Sequence, residues 1–215
     1  MIICSLYEKN MIKNIVFDIG AVLVGYNPND YAVKNNMSID KLNKAHDILV
    51  HTKEWREYLD GNIENQEILD NLIKNNPEFS DEYKLLILKE NNEHITYEIK
   101  ENTKLLKELS NEYNIYLLSN ITKETMESFK EIYDFVKNTK GGVYSYEAHI
   151  GKPNRKIYDL LFSKYNLNPN ECIFIDDKLH NIEMANELGM IGIQYTNYNE
   201  LVKKLGGKLN WIYKK

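Results

Sequence analysis

Carboxylates recur in this chain at the ends of short apolar runs, a placement suited to chemistry at the mouth of a sheet. Asp18 closes Ile-Val-Phe-Asp and is followed two residues later by Gly20. Asp176 and Asp177 close Cys-Ile-Phe-Ile-Asp-Asp. Two adjacent like charges at the end of a buried run are costly unless a cation lies beside them. Magnesium suits such a position, because it prefers hard oxygen ligands, keeps several waters and needs one or two carboxylates plus a substrate phosphate. Ser119-Asn120 follows a third apolar run and offers a hydroxyl, an amide and nearby backbone N–H groups to a phosphate oxygen. Lys152, in His-Ile-Gly-Lys-Pro-Asn, stands before Pro153 and a fresh helical pattern, where a fixed lysine could neutralise both a phosphate and Asp18. Each residue has a plainer alternative. Asp18 could cap a turn, Ser119-Asn120 and Asp177 could cap the helices after them, and Lys152 could be one exposed lysine among many.

The elements that must position these residues follow from hydrophobic pattern. Short apolar runs at 12–17, 115–118, 172–175 and 191–195 each end in polar residues and read as buried strands. Helical patterns at 99–113, 123–133, 155–165 and 179–188 lie between or after them, the last stopped by Gly189. Strands alternating with helices imply an α/β fold whose parallel sheet is covered on both faces, with ligands outside the carboxyl ends of the strands. The stretch 27–94 breaks the alternation with helical patterns at 38–59, 64–74 and 81–92 and no strand, and reads as a helical insertion after the first strand. Ser38 is its expected N-cap and Asp60-Gly61 a turn between helices.

Composition narrows the function classes. A chain of 215 residues with 43% hydrophobic and 27% charged residues is that of a folded globular protein large enough to bury a core. A net charge of -5 argues against nucleic acid, whose phosphates are met by basic surfaces. Cys4 and Cys172 read as two reduced thiols, with Cys172 buried and inert. No apolar stretch reaches membrane-spanning length and no secretory signal opens the chain, so the expected location is cytoplasmic. Residues 1–10 precede a second methionine, Met11, and read as an extension.

Taken in this order and on these elements, the four segments resemble the four motifs of the haloacid-dehalogenase-like (HAD) hydrolase superfamily, especially Gly-Lys-Pro-Asn-Arg-Lys-Ile-Tyr followed by Phe-Ile-Asp-Asp-Lys-Leu-His-Asn-Ile. The likeness runs from Met11 to about Tyr195 and is closest to the α-glucose-1-phosphate phosphatases and the N-terminal phosphatase domain of soluble epoxide hydrolase. It implies a Rossmann-like, doubly wound core at 11–26 and 95–215 with a helical cap at 27–94. By position it makes Asp18 the nucleophile and a metal ligand, Ser119 the phosphate-binding hydroxyl with Asn120 beside it, and Lys152 the neutralising lysine. Asp176, Asp177 and the Gly20 backbone carbonyl become the remaining magnesium ligands. The implied activity is a magnesium-dependent phosphatase acting through an aspartyl-phosphate on a small phosphorylated metabolite, a sugar phosphate among the candidates, in a monomer or homodimer. The alternatives are a dehalogenase and a catalytically weak phospholigand-binding protein. One departure stands out: Gly20 occupies the position where most phosphatases of this superfamily carry an aspartate that protonates the leaving group. His46, His51, Trp55, Arg56 and Tyr58 are candidate leaving-group contacts in the cap, although Trp55 and Tyr58 sit at core spacing and the histidines read as surface residues.

Overall fold

The computed structural model describes residues 12–209. Its strands are β1 (Asn14–Phe17), β2 (Val24–Tyr26), β3 (Thr96–Glu98), β4 (Asn114–Ser119), β5 (Gly141–Tyr144), β6 (Cys172–Asp176) and β7 (Ile191–Gln194). Five form a wholly parallel sheet in the order β5-β4-β1-β6-β7, while β2 and β3 pair antiparallel. Between β2 and β3 the chain forms six helices: α1 (Pro28–Lys34), α2 (Ile39–His51), α3 (Lys53–Leu59), α4 (Asn65–Asn75), α5 (Ser80–Ile87) and α6 (Asn92–Ile95). The later helices are α7 (Lys100–Leu109), α8 (Lys123–Ile132), α9 (Ser145–Ala148), α10 (Arg155–Tyr165), α11 (Leu179–Glu187) and α12 (Tyr198–Gly206).

Successive strand residues point to opposite faces, so a parallel sheet must be apolar on both. Ile15 and Phe17 of β1 join a core with Leu105 and Leu106 of α7, Phe129 of α8 and Leu205 of α12. Val16 between them joins a second core with Tyr158 and Leu161 of α10 and Ile182 and Ala185 of α11. The sheet is therefore doubly wound. Each fully buried aliphatic or aromatic side chain contributes about 1.5–3 kcal/mol, and Ile15, Val16 and Phe17 of the central strand are all fully buried. A third core lies wholly among the helices between β2 and β3, around Leu49, Ile68, Leu72 and the fully buried Tyr83.

The sequence pattern and the structure differ in several places. The pattern at 38–59 is two helices, because Thr52 is extended (φ −76°, ψ 152°) and its hydroxyl both donates to Leu49 O and accepts from Trp55 N. The pattern at 81–92 ends at Ile87 and continues as a 3-10 turn. Strand β5 begins Gly-Gly and so carries no apolar signal; a Cβ on Gly142 would stand 2.8 Å from Leu117 O, so the tight approach to β4 needs glycine. Helix α12 continues the chain past 195, with Leu201 and Leu205 buried four residues apart. Ser38 caps α2 by accepting from Lys41 N, and Gly189 takes a positive φ of 94°. The extension 1–10 and Met11 lie outside the described residues.

The helical layer meets the sheet at two polar seams. Tyr58 OH donates to Glu124 at 3.0 Å, and the Ser145 hydroxyl donates to Leu59 O while accepting from Ile121 N. Gly61 sits at the same seam with φ 68°, and an added Cβ would run into the backbone carbonyl of Tyr146. Both the backbone conformation and the space exclude a side chain. Gly61→Ala should therefore cost about 1–3 kcal/mol, read as a lowered urea midpoint. An unchanged midpoint would show that the seam yields freely.

Candidate active site

The carboxyl ends of β4, β1 and β6 lie side by side, because Phe17 is in register with both Leu117 and Ile175. Neighbouring strands are about 4.8 Å apart, so residues just past these ends converge. Asp18 continues the ladder, its N–H donating to Ile175 O at 2.9 Å, and its Oδ1 accepts from Ile19 N at 2.7 Å. The chain then turns sharply: Leu23 N and Val24 N both donate to Ile19 O, and Ala21 takes a positive φ of 57°. Gly20 in this turn has no heavy atom within 4 Å of where a Cβ would stand.

Lys152 is the hub. Its Nζ donates to Leu118 O at 2.8 Å and Asp176 Oδ2 at 2.6 Å and stands 2.9 Å from Asp18 Oδ1, which occupies all three of its protons. It is buried, 3% exposed. Asn120 holds it from behind, accepting from Lys152 N at 2.7 Å and donating to Lys152 O at 2.9 Å. A side chain on Gly151 would collide with that amide, which explains the glycine before the lysine. Sequence pattern offered Asn120 as a phosphate contact; in the structure both polar atoms of its side chain bind the Lys152 backbone.

Asp176 is fully buried and saturated with donors, from Lys152 Nζ, from Lys178 N at 2.8 Å and from Asn181 Nδ2 at 3.0 and 2.9 Å to its two oxygens. Asn181 was not singled out by the sequence, although it stands five residues after Asp176, where the first turn of α11 returns it to the strand end. Asp177 is half-buried and pairs with Lys178 Nζ at 2.9 Å. Oxygens of Asp18, Asp176 and Asp177 lie within 4.8 Å of one another. The helix-capping alternatives for Ser119-Asn120 and Asp177 fail on geometry. The N-cap of α8 is Thr122, which accepts from Thr125 N, and α11 has Lys178 at its N-cap with no side-chain cap bond.

Three carboxylates facing one buried ammonium leave surplus negative charge. Burial pushes the Asp18 carboxyl up to about 6, against the attraction of Lys152. A divalent cation held by hard oxygens fits this donor set. Ser119, 2% exposed at the end of β4, completes the ring around Asp18.

Beside Gly20, Ser119 and Asn120 opens a cavity of about 300 Å³ whose far wall is built by α2 and α3. Of the five cap candidates, His46 and Trp55 line it. His46 is half-buried rather than on the surface. His51 is exposed and contacts Asp47 O, Arg56 is exposed, and Tyr58 is in the helical core. Cys172 is a free, buried thiol pushed up to about 11 by burial, in keeping with an inert role; Cys4 lies outside the described residues.

A family profile described as haloacid dehalogenase-like hydrolase matches residues 12–189. Among solved structures, a HAD family enzyme of Bacteroides thetaiotaomicron, an aspartate-to-alanine variant in complex with magnesium and inorganic phosphate, superposes with a TM-score of 0.70 at 20% identity, covering 88% of this chain and 98% of that one. A HAD-like family hydrolase of Porphyromonas gingivalis gives 0.70 at 20% identity over 91% and 98%. Among curated proteins, a sesquiterpene phosphatase of Aspergillus oryzae is 27% identical over 97 residues, 44% of this chain. The chain spans about half, 49%, of that relative's length. Among the described residues no helix is long and apolar enough to cross a membrane.

The raised Asp18 carboxyl makes a stability prediction for the metal-free protein. Its ordinary value is 3.8 and the folded value about 6, so between these pH values the fold keeps a proton that the unfolded chain releases. Stability therefore falls as pH rises through this window, and the whole penalty is present above it. Asp18→Asn should gain roughly 1–3 kcal/mol at pH 7, a gain that vanishes below about pH 4. Urea unfolding in chelator at both pH values checks this; a less stable variant at pH 7 would mean that the attraction of Lys152 outweighs burial.

Proposed function

The chain belongs to the haloacid dehalogenase-like hydrolase family, and from that premise we propose that it is a magnesium-dependent phosphatase of a small phosphorylated metabolite, with Asp18 as nucleophile. The observation that carries this reading is the cluster of three carboxylates around a single buried lysine at the strand ends. A dehalogenase, in which Asp18 displaces halide from carbon without metal, gives no role to the convergence of Asp177 on Asp18 and Asp176, three carboxylates against the ammoniums of Lys152 and Lys178. The phosphatase named among the relatives and the phosphate and magnesium named for a structural neighbour support the same choice. The helices at 27–94 act as the cap over a core of 11–26 and 95–215, and the free, buried Cys172 supports a reducing cytoplasm.

In this mechanism an Asp18 oxygen forms a bond to phosphorus as the bond from phosphorus to the leaving alcohol breaks in line. Water then attacks the aspartyl-phosphate, releasing inorganic phosphate and regenerating the carboxylate. Ser119 holds a phosphoryl oxygen through both steps, and Lys152, kept in place by Leu118 O and Asp176, turns the proton it gives Asp18 Oδ1 in the free protein toward a phosphoryl oxygen as Asp18 engages phosphorus, so that little reorganisation is required. Asn120 is a positioning residue, acting through the Lys152 backbone. Asp18, Asp177 and the Gly20 carbonyl are the proposed direct ligands of magnesium. Asp176, whose oxygens are already filled, contributes charge and orients Lys152. Bound magnesium would supply the positive charge that lets one anion approach another.

Gly20 supplies no proton to the leaving oxygen, which suits alcohols of low basicity; anomeric sugar phosphates and aryl phosphates both qualify. Phosphate release from an aryl phosphate with and without magnesium tests the reading. Asp18→Asn should abolish release, and retained magnesium-dependent turnover would overturn it. Asp177→Asn should raise the magnesium concentration needed for half-maximal rate at least about tenfold, while Asp176→Asn should act mainly on kcat through Lys152. The rate of the chemical step should fall steeply with leaving-group pKa. Gly20→Asp should flatten that dependence, recovering about 10²-fold or more on the poorest leaving groups, since the open space at Gly20 admits a side chain. An unflattened slope in a folded variant would place proton donation elsewhere.

A further inference from the structure

The cavity beside the strand ends carries a signature of its leaving group. Among its lining residues there is no lysine, arginine, aspartate or glutamate. Its walls are built from Leu49, Val50 and Trp55 on the helical layer and from Leu86, Ile95 and Phe129 around them. Of the polar side chains at the wall, those of Thr96, Asn120, Thr122 and Thr125 already have partners. The Thr96 hydroxyl donates to Asn92 O at 2.6 Å and lies 2.8 Å from Tyr133 OH. The Thr122 and Thr125 side chains bond each other at 2.8 Å, and Asn120 is held by the Lys152 backbone. His46 stacks obliquely near Tyr26, with ring centroids 5.7 Å apart, and makes no hydrogen bond from its ring among the described residues.

We infer that this cavity receives an uncharged, mainly apolar alcohol, so that the substrates are monophosphates of aryl or compact hydrocarbon alcohols rather than of sugars. The inference rests on the phosphatase reading and deepens it. A hexose would bring several hydroxyls out of water against mainly aliphatic and aromatic walls, and each hydroxyl left without a partner costs about 1–3 kcal/mol. A hydrocarbon of similar size gains about 25 cal/mol for every Å² it buries against the same wall. No cation on the wall is placed to receive a second phosphate, which restricts the class to monophosphates. The volume, near 300 Å³, stands at the lower end of the range of about 300–1,000 Å³ typical of small-molecule sites and limits the alcohol to a compact one.

Glucose 6-phosphate and cyclohexylmethyl phosphate share a six-membered ring, a methylene and a phosphate, and differ chiefly in the ring oxygen and hydroxyls. The hydroxyls lower the basicity of the leaving oxygen, so intrinsic chemistry favours the sugar and recognition by the wall favours the hydrocarbon. With the full chain and magnesium, kcat/KM should be at least about tenfold higher for cyclohexylmethyl phosphate. Val50→Asp should lower the ratio of cyclohexylmethyl phosphate to acetyl phosphate at least about tenfold, because the acetyl group has little hydrocarbon to place against this wall. If acetyl phosphate is hydrolysed with magnesium but the sugar ratio stays below tenfold, or if Val50→Asp leaves its ratio unchanged, the inference is overturned alone. If neither acetyl phosphate nor an aryl phosphate is hydrolysed with magnesium, the phosphatase reading falls and takes the inference with it.

Discussion

The ammonium of Lys152, placed between Asp18 and Asp176, is the interaction on which the arrangement of the strand ends depends. Its three partners come from β1, β4 and β6, so a single side chain closes the carboxyl edge of the three central strands. Buried charge at this depth is tolerated because every proton of the ammonium has an acceptor and because Asp176 is fully supplied with donors. The lysine has little rotational freedom left, since Asn120 fixes its backbone and Phe174 lies beneath it with the ring centroid 5.4 Å from Nζ. A flexible surface lysine would lose that entropy on meeting a phosphate; this one has already lost it on folding.

The same interaction explains the order of the sheet. With β1 in the centre, Asp18 has β4 and Ser119 on one side and β6 with its two carboxylates on the other. The sharp turn after Asp18 then sends the chain into β2, whose antiparallel partner β3 brings it back after the helical excursion. Exit and return lie side by side, so a helical layer of nearly seventy residues can be inserted without disturbing register in the parallel sheet. That layer has its own core, and it approaches the sheet through a few hydrogen bonds and a glycine contact rather than through continuous apolar packing. The gap that remains is the cavity.

Sequence pattern revealed what buried runs and their termini reveal. Strands β1, β4, β6 and β7, the first three leading into candidate site residues, were legible because a parallel strand is apolar on both faces and changes to polar residues abruptly. Strand β5 was not, since Gly142 meets a steric need of the neighbouring strand β4 and Gly141 one of Tyr165 on α10, rather than a hydrophobic one. Three-residue strands β2 and β3 carry too short a pattern to be seen, and the break at Thr52 is a capping event inside a continuous amphipathic stretch. At the site, residue type located Asp18, Lys152 and the aspartate pair, but partner choice was hidden. Whether Asn120 faces a phosphate or the Lys152 backbone is a matter of a few ångströms. Asn181 escaped because its distance in sequence from Asp176 acquires meaning only when α11 starts immediately after the strand.

Histidine placement shows the same limit and bears on how the cavity works. His46 and His51 are five residues apart on one helix, well over a full turn, so they cannot share a face; His46 turns inward and His51 outward. Burial lowers the His46 pKa, which favours the neutral imidazole and makes it a poor source of protons for a departing alkoxide. The inward face of the helical layer therefore offers shape and apolar surface, and the charge stays on the sheet. Separating the two has a physical consequence. In the proposed reaction, an apolar wall that displaces water from the cavity lowers the local dielectric around Lys152, strengthening its attraction for the phosphoryl group without adding a charge that could compete for it. Under the proposed function, chemistry and recognition can then vary independently: strand ends that bind one phosphate group would serve any leaving alcohol, while substitutions on α2 and α3 would change which alcohol is admitted.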